Sequence, residues 1–532
     1  METVMTDSTK TQNMVSLGTE LHKFAAIIDQ SSVIEKGTPT RYRLKPTTDS
    51  HDESEPFRKT TFGERDKNKP HKTILMVGET GTGKTKLINA MINYMLGVQR
   101  EDKVWFEFTD DQSDRTSAHS QTSRITVYGF YLQESKTDLT IIDTPGYGDT
   151  RGIENDKEIA KSLLSLSKCN DWVHKIDAVC LVVKASQNRL SDRQIYIFDA
   201  VQSLFGKDIV ENIALLVTYS HGAHPKNVLT AVEEAKFQCA KNDKNQPVYF
   251  LFDNCQGETF HEEYQIVQEQ SWNLSFKGMT GFFKLLDNIK SKTLKMTQDV
   301  LRQREKLEAN ITNIQSQIRK MESKQNELKQ HQEILEYVKN DKNFECEVEV
   351  EYKEKVDIDL SLAKEATCCT VCEENCHYPG CWWVSNLSQC SVMKKGNCTV
   401  CTNKCHHSKH VKEAKIYETK TKTEKRTDKD LKKQYEDKIV GVMSLINKLD
   451  VELNELKIKK IKLVIETFDS VQALEMITLN TDSLIILQHV DFLIERLKEI
   501  NEPEKAETLE KIKERAGEEK KQALEYMKMF YK

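Results

Sequence analysis

The sequence predicts an α/β domain, with a mostly parallel sheet and helices on both faces, followed by an α-helical coiled-coil hairpin that carries a small cysteine-rich β insert. Three observations predict it. Short apolar runs alternate with helical stretches from residue 70 to 292, Lys/Glu/Gln-rich heptads follow, and nine of the fourteen cysteines fall between Cys368 and Cys405. Strands alternating with helices imply parallel crossovers. Sustained 3-4 apolar spacing implies packed helices.

Composition sets the outer limits. The 532 residues are 30% charged and 38% hydrophobic, too long and too polar for one packed core. Lys+Arg 78 against Asp+Glu 83 gives a net charge of -5, so bulk charge does not predict a nucleic-acid binder. No run reaches the roughly 18 apolar residues of a membrane-spanning helix. METVMTDSTKTQNMV lacks an apolar signal core, and MKMFYK offers no prenylation cysteine. The expectation is a cytoplasmic protein with reduced thiols.

In chain order, residues 1–69 read as a variable, partly disordered arm with one short helix near Leu21–Ile28. Residues 70–292 carry strand-like runs at Thr73–Val77, Arg124–Leu132, Leu139–Ile142, Ala178–Val183, Ile213–Val217 and Val248–Phe252. Helical stretches at Lys86–Leu96, Ile153–Leu166 and Leu190–Phe205 lie between them. A stalk helix over 293–343 follows from Val300, Leu307, Ile311, Ile314, Ile318, Met321, Leu328 and Leu335. At 1.5 Å rise it would span about 58 Å. A return helix over 426–465 follows from Tyr435, Ile439, Val442, Ile446, Leu449, Leu453, Leu456 and Leu463. Between them, 344–425 forms a cysteine-rich tip, entered and left by a strand pair at Glu345–Asp359 and His410–Thr423. The same heptads also fit two helices of a compact bundle. Residues 466–532 read as a further helical region.

Gly78-Glu79-Thr80-Gly81-Thr82-Gly83-Lys84-Thr85 fits GxxxxGK[ST], between a strand and a helix that continues through Lys86. Glycines let the amides of such a loop face inward as an anion nest at a helix N-terminus. Lys84 can reach the β- and γ-phosphates, and the Thr85 hydroxyl can take a Mg²⁺ position. Downstream, Leu139–Gly146 (LTIIDTPG) is an apolar strand ending in Asp143, which brings a carboxylate toward Mg²⁺. Gly146 there offers an amide to a γ-phosphate. Together the two elements favour a P-loop GTPase over a generic ATPase.

At this point residues 72–290 resemble the septin-like branch of P-loop GTPases: septins, the immunity-associated GTPases of vertebrates (GIMAP proteins) and the chloroplast outer-envelope import GTPases. GETGTGKT and DTPGYGDT carry the resemblance. The longer pattern, with the cysteine-rich insert, looks like a group of animal proteins bearing this G domain. The resemblance implies a switch threonine that holds Mg²⁺, matched by Thr122 with Thr116 as the alternative. It implies a base-reading segment after strand 213–217, here Thr218-Tyr219-Ser220-His221-Gly222. That segment lacks the usual Asp, so His221 stands near its place, or is simply a solvated loop residue. The last such segment, Phe252-Asp253-Asn254-Cys255, implies a base contact from Asn254, unless Asn254 only caps a turn.

Tyr147 stands where small GTPases place the water-orienting Gln. The resemblance therefore implies slow hydrolysis of GTP to GDP, completed or stimulated across a homodimer or homo-oligomer of G domains. Lys84, Thr85, Thr122 and Gly146 would be the groups around the reacting phosphate.

The cysteines run Cys368-Cys369-x2-Cys372-x3-Cys376-His377-x3-Cys381-x8-Cys390-x7-Cys398-x2-Cys401-x3-Cys405, with His410 beyond. Two CxxCxxxC units supply enough thiolate and imidazole for two tetrahedral structural Zn²⁺ sites. Cys369, Cys372, Cys398 and Cys401 lead, then Cys376 and Cys405, with Cys390 and His410 among those competing for the remainder. The alternative is reduced cysteines packed with Trp382 and Trp383. RING-type spacing is absent. Lys394, Lys395, Lys404 and Lys409 would suit nucleic acid, but the acidic run CEVEVEYKE counts against it. Two functions follow: a guanine-nucleotide switch whose stalk presents a zinc module to a protein partner, or an adaptor that keeps nucleotide as a structural cofactor.

Overall fold

The computed structural model describes residues 23–50, 57–109, 124–133, 135–147, 153–168, 175–186, 191–340, 345–360, 363–378, 386–427 and 439–530. The chain forms two units, Met1–Gln298 with Glu518–Lys532, and Asp299–Gly517.

The first unit is built on eight strands: β1 (Thr48–Ser50), β2 (Phe57–Gly63), β3 (His71–Gly78), β4 (Ile125–Tyr131), β5 (Asp138–Asp143), β6 (Ala178–Lys184), β7 (Ile213–Thr218) and β8 (Tyr249–Leu251). Their order across the sheet is β8-β7-β6-β3-β5-β4-β2-β1. Strand β3 is central because Ile74, Leu75, Met76 and Val77 are apolar on both faces and fully buried. It runs parallel to β5 and β6, and β6 continues parallel to β7 and β7 to β8. Helices α1 (Lys84–Met95), α2 (Ile153–Lys168), α3 (Asp192–Gln202), α4 (Lys226–Glu234) and α5 (Gln265–Asn288) supply the crossovers and cover. Leu87, Ile88, Met91 and Ile92 of α1 join Phe106, Phe130, Phe252 and Phe282 in the core.

The sheet is mixed rather than mostly parallel on one side. Strands β4 and β5 pair antiparallel, since the connection between them is too short for a crossover, and β1 pairs antiparallel with β2. The expectation of a largely flexible arm before residue 70 also fails where the structure describes it. Phe57–Gly63 adds to the sheet parallel to β4. Ser31–Glu35 and Thr40–Leu44 form a small sheet with Val104–Glu107. Its polar strands are held by pairing: Arg41 bonds Glu107 and Glu35, and Tyr42 stacks on Phe106 at 5.7 Å. Phe24, in the short helix at 23–29, tucks against the same Phe106.

The first unit also takes the chain's last helix, which was grouped by sequence with the helical half. Helix α10 (Glu518–Phe530) packs on α3, with Lys520 3.4 Å from the buried Asp199 and Tyr526 beside Tyr196.

The second unit contains most of α6 (Lys295–Asn340), then β9 (Glu345–Asp357), β10 (Ala366–Cys369), β11 (Glu374–His377), β12 (His410–Glu413), β13 (Lys415–Thr427), α7 (Ile439–Ile477), α8 (Leu484–Glu499) and α9 (Pro503–Arg515). Val300, Leu307, Ile311, Ile314 and Met321 of the first heptad series are buried, as are Leu449, Leu453 and Leu463 of the second. Strands β9 and β13 pair antiparallel over their whole length, from Glu345↔Thr427 to Asp357↔Lys415.

The cysteine-rich module does not stand at the far end of α6. It lies against the middle of that helix: Asn313 Nδ2 donates to the Val400 carbonyl at 3.3 Å, Gln317 Nε2 donates to Glu374 at 3.2 Å, and Ala309 packs on the cysteines. The reason lies in the helix itself. Asn313 and Gln317 are buried polar residues on one stripe, and buried amides seek partners that a purely apolar helix pair would not give. The β9–β13 ribbon therefore doubles back along α6.

Candidate functional site

Strand β3 ends in a loop that turns into α1, and this turn sets the first site. Gly78 has no room for a side chain: a Cβ would stand 2.4 Å from the Val182 carbonyl oxygen of the neighbouring strand. Gly81 and Gly83 adopt positive φ, which keeps the loop wrapped around the start of α1. Lys84 is buried, and its Nζ donates to the carbonyls of Gly78 at 3.0 Å and Glu79 at 3.2 Å. Burial lowers its pKa, while Asp143 and Glu79 pull in the opposite direction. Thr82 Oγ1 donates to Glu79, and the Thr82 carbonyl accepts from Thr218 at 2.6 Å, tying the loop to β7. The Glu79 carboxylate pairs with Arg193 on α3 at 3.1 Å. Thr85 is half-buried in the first turn of α1, and the next residue, Lys86, pairs with Glu258 at 3.2 Å.

Asp143, at the end of β5, faces Lys84. Burial pushes its carboxyl up to about 7, with Lys84 opposing the rise. Its Oδ1 is buried with no hydrogen-bond partner. A buried, unpaired carboxylate oxygen beside a buried ammonium suits a divalent cation and phosphate oxygens. Thr144 anchors the next segment through Met76, and Tyr147 and Glu79 form a bridge. Gly146 is squeezed between: a Cβ there would lie 2.2 Å from Thr80 Oγ1 and 2.5 Å from Thr80 Cα. Tyr147 is 1% exposed, so its phenol is buried.

On the side of the loop where a base would lie, Thr218 is buried, Tyr219 adopts φ 52 beside Gly83, and His221 is exposed. Asn254 follows β8 with φ 56. Its main-chain amide is held by Ser275, and both side-chain amide atoms are buried without partners. Such an amide is able both to donate to and to accept from a ligand. Thr122 and Thr116 lie outside the described residues. The loop, Asp143, Gly146 and Asn254 therefore come together on one end of the sheet, and His221 sits at its rim.

The second site is the cysteine module. Cys369, Cys372, Cys401 and Cys405 converge, as do Cys376, Cys398, Cys401 and His410, with all ligand atoms of each group within 4.8 Å of one another. Cys390 shares their buried cluster but belongs to neither group: its sulfur lies 3.3 Å from His377 Nδ1. Cys368 belongs to neither group; its sulfur lies 3.3 Å from Asn375 Oδ1 and 3.5 Å from the Lys415 carbonyl oxygen. Cys381, Trp382 and Trp383 lie outside the described residues. His410, one of several residues the sequence left competing for the remaining positions, joins the second group because strand β12 brings it in.

A phosphate-cradling loop at a strand–helix turn, with an aspartate ending the adjacent parallel strand, defines a P-loop GTPase-like α/β domain. Residues 72–268 match the model of the AIG1 family. Among solved structures, the chain is similar to Toc33 from Arabidopsis thaliana in complex with GDP and Mg²⁺ (14% identity, TM-score 0.30, covering 42% of this chain and 88% of that one). It is similar also to Toc33 from the same plant with Mg²⁺ and GMPPNP (17% identity, TM-score 0.28, 42% and 88%). A third similar structure is one of chloroplast translocon components for which dimerization is described as important for GTPase activity (17% identity, TM-score 0.24, 35% and 72%). No curated protein matches the sequence. Among the described residues no helix is long and apolar enough to cross a membrane.

Proposed function

We propose that residues 70–292 bind GTP and GDP with Mg²⁺ as a septin-like guanine-nucleotide switch. The observation that carries this reading is the unpaired, buried Asp143 oxygen beside Lys84 within a glycine loop. Lys84 and the loop amides would hold the phosphates, Thr85 and Asp143 would hold the cation, with Thr122 as a further ligand, and Asn254 with His221 would meet the base. The family match over 72–268 supports the same reading.

Because Tyr147 is buried, its phenol is not free to orient water as the Gln of small GTPases does. Hydrolysis is then slow in the isolated chain and rises when a second copy completes the site through the G domain. The same burial favours a second reading, in which nucleotide is retained as a structural cofactor and the protein acts as an adaptor. In both, the cysteine module is stabilised by zinc and offers a binding surface to a protein partner, and the protein works in the cytoplasm.

Titration of the purified chain with labelled GTP, GDP and ATP tests the core of the proposal. Guanine nucleotides should bind, and Lys84→Ala should abolish uptake. A well-folded protein that takes up neither GTP nor GDP would overturn it. Turnover per chain that rises with protein concentration, and an oligomeric state that differs between GDP and a non-hydrolysable GTP analogue, support the switch. Invariance of both supports the adaptor.

A further inference from the structure

The two groups of converging ligands in the cysteine module have one member in common. Cys401 belongs to both, and each residue offers a single ligand atom, so seven side chains serve two four-membered groups. We propose that the module binds two zinc ions as one binuclear cluster, with the Cys401 thiolate bridging them. Cys369, Cys372 and Cys405 complete one tetrahedron, and Cys376, Cys398 and His410 complete the other. This rests on the zinc reading above and adds to it the number of ions and the shared ligand.

Geometry supports the assignment. A tetrahedral site with Zn–S bonds of about 2.3 Å has sulfur–sulfur edges of about 3.8 Å. Cys372 and Cys405 stand 3.8 Å apart, far beyond the S–S length of about 2.05 Å that a disulfide requires. His410 Nδ1 lies 3.1 Å from the His406 carbonyl oxygen, which can only accept, so the proton sits on Nδ1. That leaves a lone pair on Nε2, which is buried and has no hydrogen-bond partner. Main-chain amides aim at the sulfurs as they would at thiolates. Cys372 N donates to Cys369, Val400 N and Cys401 N donate to Cys398, and Cys405 N donates to Cys401.

The supply of other ligands argues for sharing. Two separate tetrahedra need an eighth donor. Among the described residues, Cys368 Sγ sits 3.3 Å from Asn375 Oδ1 and belongs to neither group, and Cys390 lies against His377 outside both. The module's interior is made of these same cysteines with Val392 and Val400, too little apolar surface to hold the fold without metal.

The test is metal content and ¹¹³Cd spectroscopy on the full chain. Wild type should carry two zinc ions per chain by mass spectrometry. Cadmium-loaded protein should give two ¹¹³Cd resonances coupled to each other through the shared sulfur. Cys369→Ser and Cys376→Ser should each lose one ion, and Cys401→Ser should lose both. One zinc per chain, two uncoupled cadmium signals, or loss of an ion in Cys381→Ser would overturn the sharing while leaving zinc binding intact. A folded chain that takes up no zinc would remove the zinc reading as well. Should Cys401→Ser fail to fold, the wild-type cadmium spectrum decides.

Discussion

The main-chain amide of Tyr147 donates to the carbonyl of Gly78 at 3.1 Å, and the amide of Thr80 returns a bond to the Tyr147 carbonyl at 3.4 Å. The two bonds clip the end of Asp-Thr-Pro-Gly onto the phosphate loop, with Gly146 at the point of closest approach. If the loop holds nucleotide as proposed, a change there would reach the segment after β5 through these two bonds. That is the physical requirement for a nucleotide-sensing switch.

Gly146→Ala tests this clip. The added methyl would meet Thr80 backbone atoms well inside contact distance, so one segment must move. We expect destabilisation of about 1–3 kcal/mol, the range for forced overpacking, and at least a ten-fold weaker GDP affinity. Thermal melting and a fluorescent-GDP titration report the two separately. Unchanged values for both would show that the clip has no role.

Asp143 predicts a pH dependence. Its folded pKa, about 7, lies above the ordinary value of 3.8, so between those limits the folded chain binds more proton than the unfolded one. Stability of the nucleotide-free protein should therefore fall as pH rises from about 4 to about 7, by at most about 1.4 kcal/mol per pH unit from this group. Asp143→Asn should flatten that slope and abolish Mg²⁺-dependent binding. Because Mg²⁺ requires the ionised form, binding near neutral pH should release a proton. Calorimetry in buffers of different ionisation heat measures that release.

Asn254 separates folding from binding. Its side-chain amide is buried and unpaired, and its φ of 56 suits glycine as well. Asn254→Gly should leave the free protein as stable as wild type or slightly more so, since an unsatisfied buried polar group costs about 1–3 kcal/mol. Guanine-nucleotide affinity should nonetheless fall about ten-fold or more. Equal losses for GTP and ATP would show that Asn254 does not read the base.

The sequence made the nucleotide-binding core legible because its strands are uninterrupted apolar runs and its loop chemistry is local. Thr73–Val77 and Gly78–Thr85 identify themselves within thirteen residues. The strands before residue 70 do not, because part of what holds Arg41 and Tyr42, the contacts to Glu107 and Phe106, comes from far along the chain. The position of the cysteine module was missed for a related reason. The heptads of α6 were read for their apolar members, whereas the informative residues were Asn313 and Gln317, polar residues turned inward. The part Cys401 plays in two groups depends on folding alone, since spacing along the chain cannot show one sulfur facing two partners.

The docking of that module is testable through Glu374. Its buried carboxylate accepts from Gln317 Nε2 on α6 and from the Thr402 amide and hydroxyl within the module. Glu374→Ala leaves these donors unmatched and should cost about 1–3 kcal/mol. Hydrogen exchange should rise at Val400–Thr402 and along α6 near Gln317. Protection equal to wild type in both places would show that the contact does not hold them together.

The return of α10 to the first unit changes what a shortened protein would mean. Ending the chain before residue 518 does not trim a distant tail. It strips the cover from Tyr196 and takes Lys520 away from Asp199, on a helix beside the phosphate loop. A nucleotide-binding body made from residues 1–298 alone would be missing part of its own wall.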